Sequence, residues 1–576
     1  MSRPLYFSAL CLLWINLPLT AEEQHWRFDS PSFSGLRPSS RVSLAEGVKG
    51  KSVVLGGGNL LKVSESHWPK TGSPEFTLTG WVNPYLNNGN QQMLACKNQY
   101  SLDQREWGVM IDKDGKFRLY LWQGKWVTVS SGVRPQLGHW HMIGVVIRAT
   151  SAELWLNGSL AGSANLDHPI RSTAASITLG GVDDNGRIWQ TFKGAMDDIR
   201  MVDRASSPEK IKALYSPVSF THDVPAAPAP FALWSGEPIP TDVNKIPYPD
   251  GIRTSVIHRP SQTQHKFLHG AAIVEHNGVM HANWANSPTN ENGPQETLRG
   301  KRSTDGGLTW GELEVIAPGF EGEDRHSHGI LFVHKGELWT ICARFGIGEP
   351  GRRFRGLRGE AFVLNETANQ WQSRGIVMNN CWPYDEPVKM PNGDYITGGQ
   401  DKDGLPVVAI SRGDDFTNWK SVLLTFPMTL QPAYAETTVW SDGSRVTAVI
   451  RGGGGFAWVS ISEDSGLTWT TAAKSNLPMP RAKPYAGTLS TGQNYLITNL
   501  NDRNTLVLSV SRPGEQTFST IYRVRHGKSA APRFPGRAKS SQWSYPYGYE
   551  CNGKLYVVYS IGKEECGLTT IPLKSL

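Results

Sequence analysis

Six short turns ending in glycine recur through the C-terminal part of the chain. They are Asn277-Gly278, Lys335-Gly336, Asn392-Gly393, Asp442-Gly443, Thr491-Gly492 and Asn552-Gly553, and the glycines lie 58, 57, 50, 49 and 61 residues apart. Each turn joins two strand-like runs such as Lys554-Leu-Tyr-Val-Val-Tyr-Ser560, too short and too rich in β-branched and aromatic residues for a helix. An antiparallel unit near 50 residues, repeated six times, predicts a six-bladed β-propeller over residues 235–576. A second pattern runs through the same units. Ser303-Thr-Asp-Gly-Gly-Leu-Thr-Trp310 and Ser462-Glu-Asp-Ser-Gly-Leu-Thr-Trp469 share Ser-x-Asp-x-Gly-x-x-Trp, with a looser copy from Ser411 to Trp419. An Asp there can accept from its own turn's N–H groups, so these acids read as structural, on outer hairpins.

The first half is also built of short strands, including Phe76-Thr-Leu-Thr-Gly-Trp-Val82, Phe117-Arg-Leu-Tyr-Leu-Trp122 and Ala152-Glu-Leu-Trp-Leu156. Asn157-Gly158 reads as a tight hairpin turn. Residues 45–215 end on Phe192-Lys-Gly-Ala-Met-Asp-Asp-Ile-Arg-Met201 and a short Ser-Pro-Glu helix from Ser207. In this the segment resembles the laminin-G/concanavalin A-like family, and the resemblance implies a two-sheet β-sandwich jelly roll, used as a sugar-binding or packing module. The expected fold class is therefore all-β, a jelly roll followed by a propeller. Residues 216–234, with Pro225-Ala-Ala-Pro-Ala-Pro230, have the composition of a stiff, extended linker.

Composition narrows the partners. The 58 basic and 51 acidic residues leave a net charge of +7 spread along the chain, without the basic block that nucleic acid requires. Trp, at 21, outnumbers both Tyr and Phe, which suits packing between strands or stacking on sugars. Arg3, the apolar run from Leu5 to Leu19 and Thr20-Ala21-Glu22 read as a signal peptide over residues 1–21. The expected location is extracytoplasmic, secreted or periplasmic, with no membrane partner once the signal is removed. Export permits disulfides, and Cys551 and Cys566 flank two strand-like runs across which they would face each other; the cysteine spacing matches no zinc motif. No cofactor or metal is expected. A structural calcium in the jelly roll lacks a ligand cluster.

In a propeller the innermost strands line a central funnel, so the same position in each repeat meets a ligand. Seven to nine residues before the turn glycines stand His269, His328, Asp385 with Glu386, Glu436, Tyr485 and Tyr545; eight residues after two of them stand Arg344 and Arg451. Acidic, basic and phenolic groups converging on one funnel suit a glycan or acidic polysaccharide. Bland readings compete at each position. Glu436 and Arg451 make an ordinary ion pair, and Tyr545 packs among Tyr547 and Tyr549. His326 and His328, two apart on a strand, share a face and form a metal pair only if a third ligand joins them. The run Arg352-Arg-Phe-Arg-Gly-Leu-Arg358 is a solvated loop, or a lid over the funnel.

From about residue 260 the repeats and boxes resemble the sialidase (neuraminidase) superfamily. That resemblance implies a Tyr nucleophile activated by a buried Glu, three Arg on the substrate carboxylate and an Asp acid/base. Glu436 in Ala435-Glu-Thr-Thr-Val-Trp-Ser-Asp-Gly443 matches the Glu, Tyr545 the nucleophile, Arg451 the second Arg and Arg503 the third. The family's first Arg is missing from Phe267-Leu-His-Gly-Ala271, where His269 stands near its place. No Asp sits at the acid/base position; Glu291 and Glu296 are the nearest acids, and His269 and His328 are the other proton donors in reach. The resemblance implies a hydrolase using Tyr545, Glu436, His269, His328 and Asp385 for chemistry, with Arg451, Arg503, Arg344, Tyr485 and Glu386 binding an acidic or terminal sugar. Two rivals stand beside it: a polysaccharide lyase in which a His/Tyr pair abstracts a proton from a uronate, and a carbohydrate-binding protein without catalysis.

Overall fold

The computed structural model describes residues 23–30, 33–39, 42–56, 59–64, 75–87, 89–218, 229–320, 322, 324–347, 354–426 and 434–576. The signal segment, the centre of the linker, and Arg352 and Arg353 lie outside them. The chain divides into two compact units, Met1–Val224 and Pro225–Leu576.

The first unit has two large antiparallel sheets and a two-stranded hairpin, Val182–Asp184 with Arg187–Trp189. One runs Ser159–Asn165, Ser151–Leu156, His141–Ile147, Phe76–Pro84, Lys193–Val202, Lys51–Gly56 and Ser43–Glu46; the other runs Trp126–Ser130, Phe117–Trp122, Gln104–Ile111, Gln92–Gln99, Ile177–Leu179, Leu61–Val63 and Leu36–Pro38. Alternation does what a half-buried strand requires: Phe117, Leu119 and Leu121 are buried, and Arg118, Tyr120 and Trp122 between them are half-buried. Val145, Leu154 and Val82 of the first sheet join Trp107, Val109 and Leu119 of the second in one core. Asn157 and Gly158 both take positive φ, 50° and 74°, as the two-residue hairpin demands. The helix Pro208–Leu214 starts where Ser207 Oγ accepts from Lys210 N and buries Ile211.

The second unit is built mainly of antiparallel hairpins and four-stranded meanders. One sheet is Phe267–His276, Val279–Ser287, Thr297–Ser303 and Glu314–Ala317. Two more are Thr437–Asp442 through Ala473–Pro478 and Tyr485–Thr488 through Phe518–His526. The largest divides at a single parallel pairing, Met378 with Trp419, into the meander Asp324–His334 to Gln370–Asn379 and the group Trp382–Pro383 to Asp415–Leu423. The last sheet, Trp543–Cys551, Lys554–Ile561 and Glu565–Pro572, takes its fourth strand from the start of the unit, Arg253–His258. The leading strands contact one another in a closed cycle: Phe267–His276 touches Asp324–His334 and Trp543–Cys551, Thr437–Asp442 touches Tyr395–Gln400 and Tyr485–Thr488, and Tyr485–Thr488 touches Trp543–Cys551. Asp324–His334 completes the cycle through Trp382–Pro383.

The box acids are turn-local. Asp305 accepts from the N–H of Leu308 at 3.0 Å and of Thr309 at 2.9 Å, and Asp464 repeats this with Thr468 N at 2.8 Å. Trp310 and Trp469 donate Nε1–H to Gly307 O and Gly466 O. The expected pairing of Cys551 with Cys566 does not form; both thiols are free. Cys551 stands opposite Lys554 and Cys566 opposite Ser560, so the intervening strand separates them along its length. Of the predicted linker, Leu233 is fully buried, and Phe231 N donates to Lys474 O, so the segment from there on belongs to the second unit.

Candidate active site

Three leading strands are broken at the same level. The ladder slips between His269 and Ala272, between His326 and Gly329, and between Ser544 and Tyr547. A bulge bends a strand and re-aims its side chains, and these three deliver His269, His328 and Tyr545 to one point. Tyr545 itself holds φ 56°, a left-handed conformation that a bulky residue adopts at a cost of roughly 1–3 kcal/mol. Gly270 holds φ 65°, and a Cβ there would meet the His328 ring at 2.0 Å, so the approach of the two histidine strands requires glycine.

The rings of His269 and His328 lie 4.6 Å apart, and Tyr545 lies 5.1 Å and 5.5 Å from them, edge to face. Tyr545 Oη donates to Glu436 Oε1 at 2.8 Å, while Arg451 Nη1 donates to Glu436 Oε2 at 2.6 Å. One carboxylate thus accepts a phenol on one oxygen and a guanidinium on the other. Burial, then Glu436 and Glu291, push the Tyr545 phenol well above its ordinary pKa, against Arg451 and Arg503. Burial, with nearby cations, holds both imidazoles well below the ordinary histidine range, so they are neutral at pH 7. For Arg451, burial opposes the charge, but Glu436 and Tyr545 raise its pKa further.

These groups line a cavity of about 540 Å³ with Glu291, Asn292, Gln400, Arg503, Arg537, Ala538 and Lys563 and the aromatics Phe354, Trp382, Tyr384 and Tyr434. Four cations, Arg451, Arg503, Arg537 and Lys563, face two carboxylates, Glu291 and Glu436. Arg503 donates to Gln542 Oε1 and to Arg481 O, and Arg537 Nη2 donates to Glu291 O. Lys563 Nζ donates to Glu291 Oε1 at 2.5 Å, and His269 Nε2 lies 3.8 Å from the same oxygen. The excess of positive charge suits an anionic ligand.

Of the predicted site residues, His269, His328, Glu436, Tyr545, Arg451 and Arg503 line this cavity. Four others are corrected to positions off it. Asp385 Oδ2 accepts from Gly398 N and Val439 N, bracing the strand that follows Glu436, and burial raises its carboxyl to about 7. Glu386, one residue on, does not line the cavity and acts electrostatically on Tyr495 and Tyr547. Tyr485 packs on Tyr547, ring centroids 4.3 Å apart. Arg344 is engaged by Asp324 and Glu360 and lies over Phe320. Adjacent positions on a strand point to opposite faces, which separates Asp385 from its neighbour Tyr384, the residue that does line the cavity. A bulge separates the two histidines expected to share a face, since His326 turns to Glu360, 3.1 Å away, and His328 to the cavity. Arg358, at the end of the basic run, pairs with Asp324. No group of three or more His, Cys, Asp or Glu among the described residues is arranged to hold a metal.

Sequence reasoning missed Trp382, Tyr384, Tyr434, Arg537 and Lys563. Tyr384 and Tyr434 stand nine residues before their turn glycines, the offset of His269, so counting that offset in every repeat finds both. Lys563 carries no periodic signal, because it sits in the turn after Lys554–Ile561 with φ 56°.

The class these features define is a concanavalin A-like domain ahead of a BNR repeat-like domain. Residues 55–212 match the family model of the concanavalin A-like lectin/glucanases superfamily, and residues 279–557 match that of the BNR repeat-like domain. Among solved structures, the chain is similar to the leech intramolecular trans-sialidase, at 12% identity over 88% of this chain and 95% of that one, TM-score 0.43. It is similar to the NanB sialidase of Streptococcus pneumoniae, at 12% identity over 87% and 95%, TM-score 0.43. It is also similar to the Trypanosoma rangeli sialidase, at 14% identity over 56% and 60%, TM-score 0.42. No curated protein matches the chain.

Proposed function

We propose that the second unit is a six-bladed propeller and that its cavity is the active site of an exported glycoside hydrolase acting on an acidic sugar. The observation that carries this reading is the Tyr545–Glu436–Arg451 arrangement, a phenol held 2.8 Å from a carboxylate at the bottom of a cationic cavity. Glu436 takes the Tyr545 proton as Oη attacks the anomeric carbon. A neutral phenol approaches an anionic substrate without the repulsion that a carboxylate nucleophile meets. Arg451 holds Glu436 in place and, with Arg503, faces the acid group. Glu291 is the proton donor to the leaving oxygen; neutral, buried His269 and His328 serve as hydrogen-bonding partners around the sugar rather than as acids. The aromatic residues Trp382, Tyr384 and Tyr434 offer stacking faces to sugar rings.

A second reading is favoured by the His269–His328–Tyr545 cluster: in a lyase, a His/Tyr pair that includes Tyr545 removes the proton beside a uronate carboxylate while the cations neutralise the charge. Mass spectrometry of products from acidic glycans separates the two. Products heavier by one water mean hydrolysis; fragments with a new double bond and no added water mean elimination. In the hydrolase, Tyr545→Phe abolishes turnover and Glu436→Gln lowers kcat by about 10²–10⁴-fold. A Tyr545→Phe chain with undiminished turnover sinks both schemes, and a silent Glu436→Gln sinks the hydrolase alone.

A further inference from the structure

Lys563 is a buried cation that the scheme above does not use. It is 4% exposed. Its main-chain carbonyl accepts from Leu268 N at 3.0 Å, which fixes the residue beside His269. Its ammonium lies 5.1 Å from the centroid of the Tyr545 ring and 2.5 Å from Glu291 Oε1. The glutamate that holds it is 22% exposed on the cavity loop, whereas the lysine is not free to leave. Arg451 donates to Glu436 and Arg503 to Gln542 and the Arg481 carbonyl, and neutral His269 adds no charge beside them.

We propose that Lys563 is the third cationic arm for the substrate's acid group, and that Glu291 occupies it until that group arrives. The claim that Lys563 binds the acid stands on the cavity alone; its consequence for the reaction rests on the hydrolase reading. A carboxylate entering the cavity competes with Glu291 for the ammonium. Glu291, released from the ammonium, is free to turn to the glycosidic oxygen. In its acid form it protonates that oxygen as the bond from the oxygen to the anomeric carbon breaks, the bond from Tyr545 Oη forms, and the Tyr545 proton passes to Glu436. Substrates without the acid group leave Glu291 ion-paired and are poor substrates for that reason, in addition to binding weakly.

The test is calorimetric binding of glucuronic acid, N-acetylneuraminic acid and neutral glucose to the full chain carrying Tyr545→Phe, which needs no turnover. Adding Lys563→Met weakens at least one of the acids by about tenfold or more, as the loss of a charge-assisted contact in a buried site requires, and leaves glucose unchanged. Adding Glu291→Gln instead tightens the same acid, because its competitor is gone; Lys563→Arg retains most of the binding. The proposal falls if Lys563→Met binds both acids as tightly as its parent, if it loses acid and glucose alike, or if neither acid binds the parent at millimolar concentration. If acids bind through Lys563 but the chain with Tyr545 intact hydrolyses nothing, the hydrolase reading alone falls.

Discussion

Glu296 shows how burial becomes a pH effect. Its side chain is fully buried, and the nearby Ser327 hydroxyl, Arg325 and Asn292 backbone offset only part of the cost of its charge, to which Glu291 adds. Burial raises its pKa to about 8 from an ordinary 4.5. The folded chain therefore keeps a proton that the unfolded chain releases above pH 4.5. The stability that goes with it is fully present below that pH and is lost as pH rises through about 8. Glu296→Gln mimics the protonated form, so it raises Tm at pH 8.5 by a few degrees, about the effect of 1–2 kcal/mol in a domain of this size, and changes nothing at pH 4.5. Thermal melts of both chains across that range check this; an equal Tm difference at both ends would refute it. At the same scale, the sequence exposed Glu436 and Tyr545 through their offset from a turn glycine and their resemblance to a known pair. It could not show that Tyr545 would join Arg451 on one carboxylate: Glu436 and Arg451 face each other across a single hairpin, but Tyr545 lies 109 residues from Glu436 and meets it only through the cycle of strands.

At the level of elements, the recurring Ser-x-Asp-x-Gly-x-x-Trp turns were legible because everything they need is local. Ser303 Oγ donates to Asp305, Asp305 accepts from Thr309 N, and Trp310 donates to Gly307 O, all within eight residues. Asp305→Ala removes those acceptors far from the cavity. It should speed amide exchange at Leu308 and Thr309 and lower Tm while leaving kcat/KM unchanged; a fall in kcat/KM at equal foldedness would place the box in the catalytic machinery. The bulges were not legible. A strand that slips one residue exchanges its two faces, and nothing in Phe267-Leu-His-Gly-Ala271 or Ser544-Tyr-Pro-Tyr-Gly-Tyr549 announces the slip except a glycine in one and a proline in the other. The ladders around Asp385, Glu386 and Tyr485 carry no such slip, so the count that found Tyr545 does not transfer to them.

For the molecule as a whole, the last sheet of the second unit depends on the first strand of that unit. Arg253–His258 pairs along Glu565–Pro572, and without it that edge is left with unpaired N–H and C=O groups. Deleting residues 253–258 should lower the Tm of the second unit and promote association, and leave the transition of the first unit in place. Calorimetry with sedimentation checks both; a second unit of unchanged Tm would show that this closure contributes nothing.

What the sequence determined by itself was whatever repeats or is local. The glycine turns, alternating strands, box motifs and capped helix follow from short-range sterics and hydrogen bonding, and so did the all-β class and the division into two units. The tertiary structure decided which side chains face one another. Cavity lining, the Tyr545–Glu436 hydrogen bond, the Lys563–Glu291 pair and the neutrality of the histidines depend on bulge register and on burial. Both are properties of neighbouring strands brought together from distant parts of the chain, so no single stretch of sequence contains them.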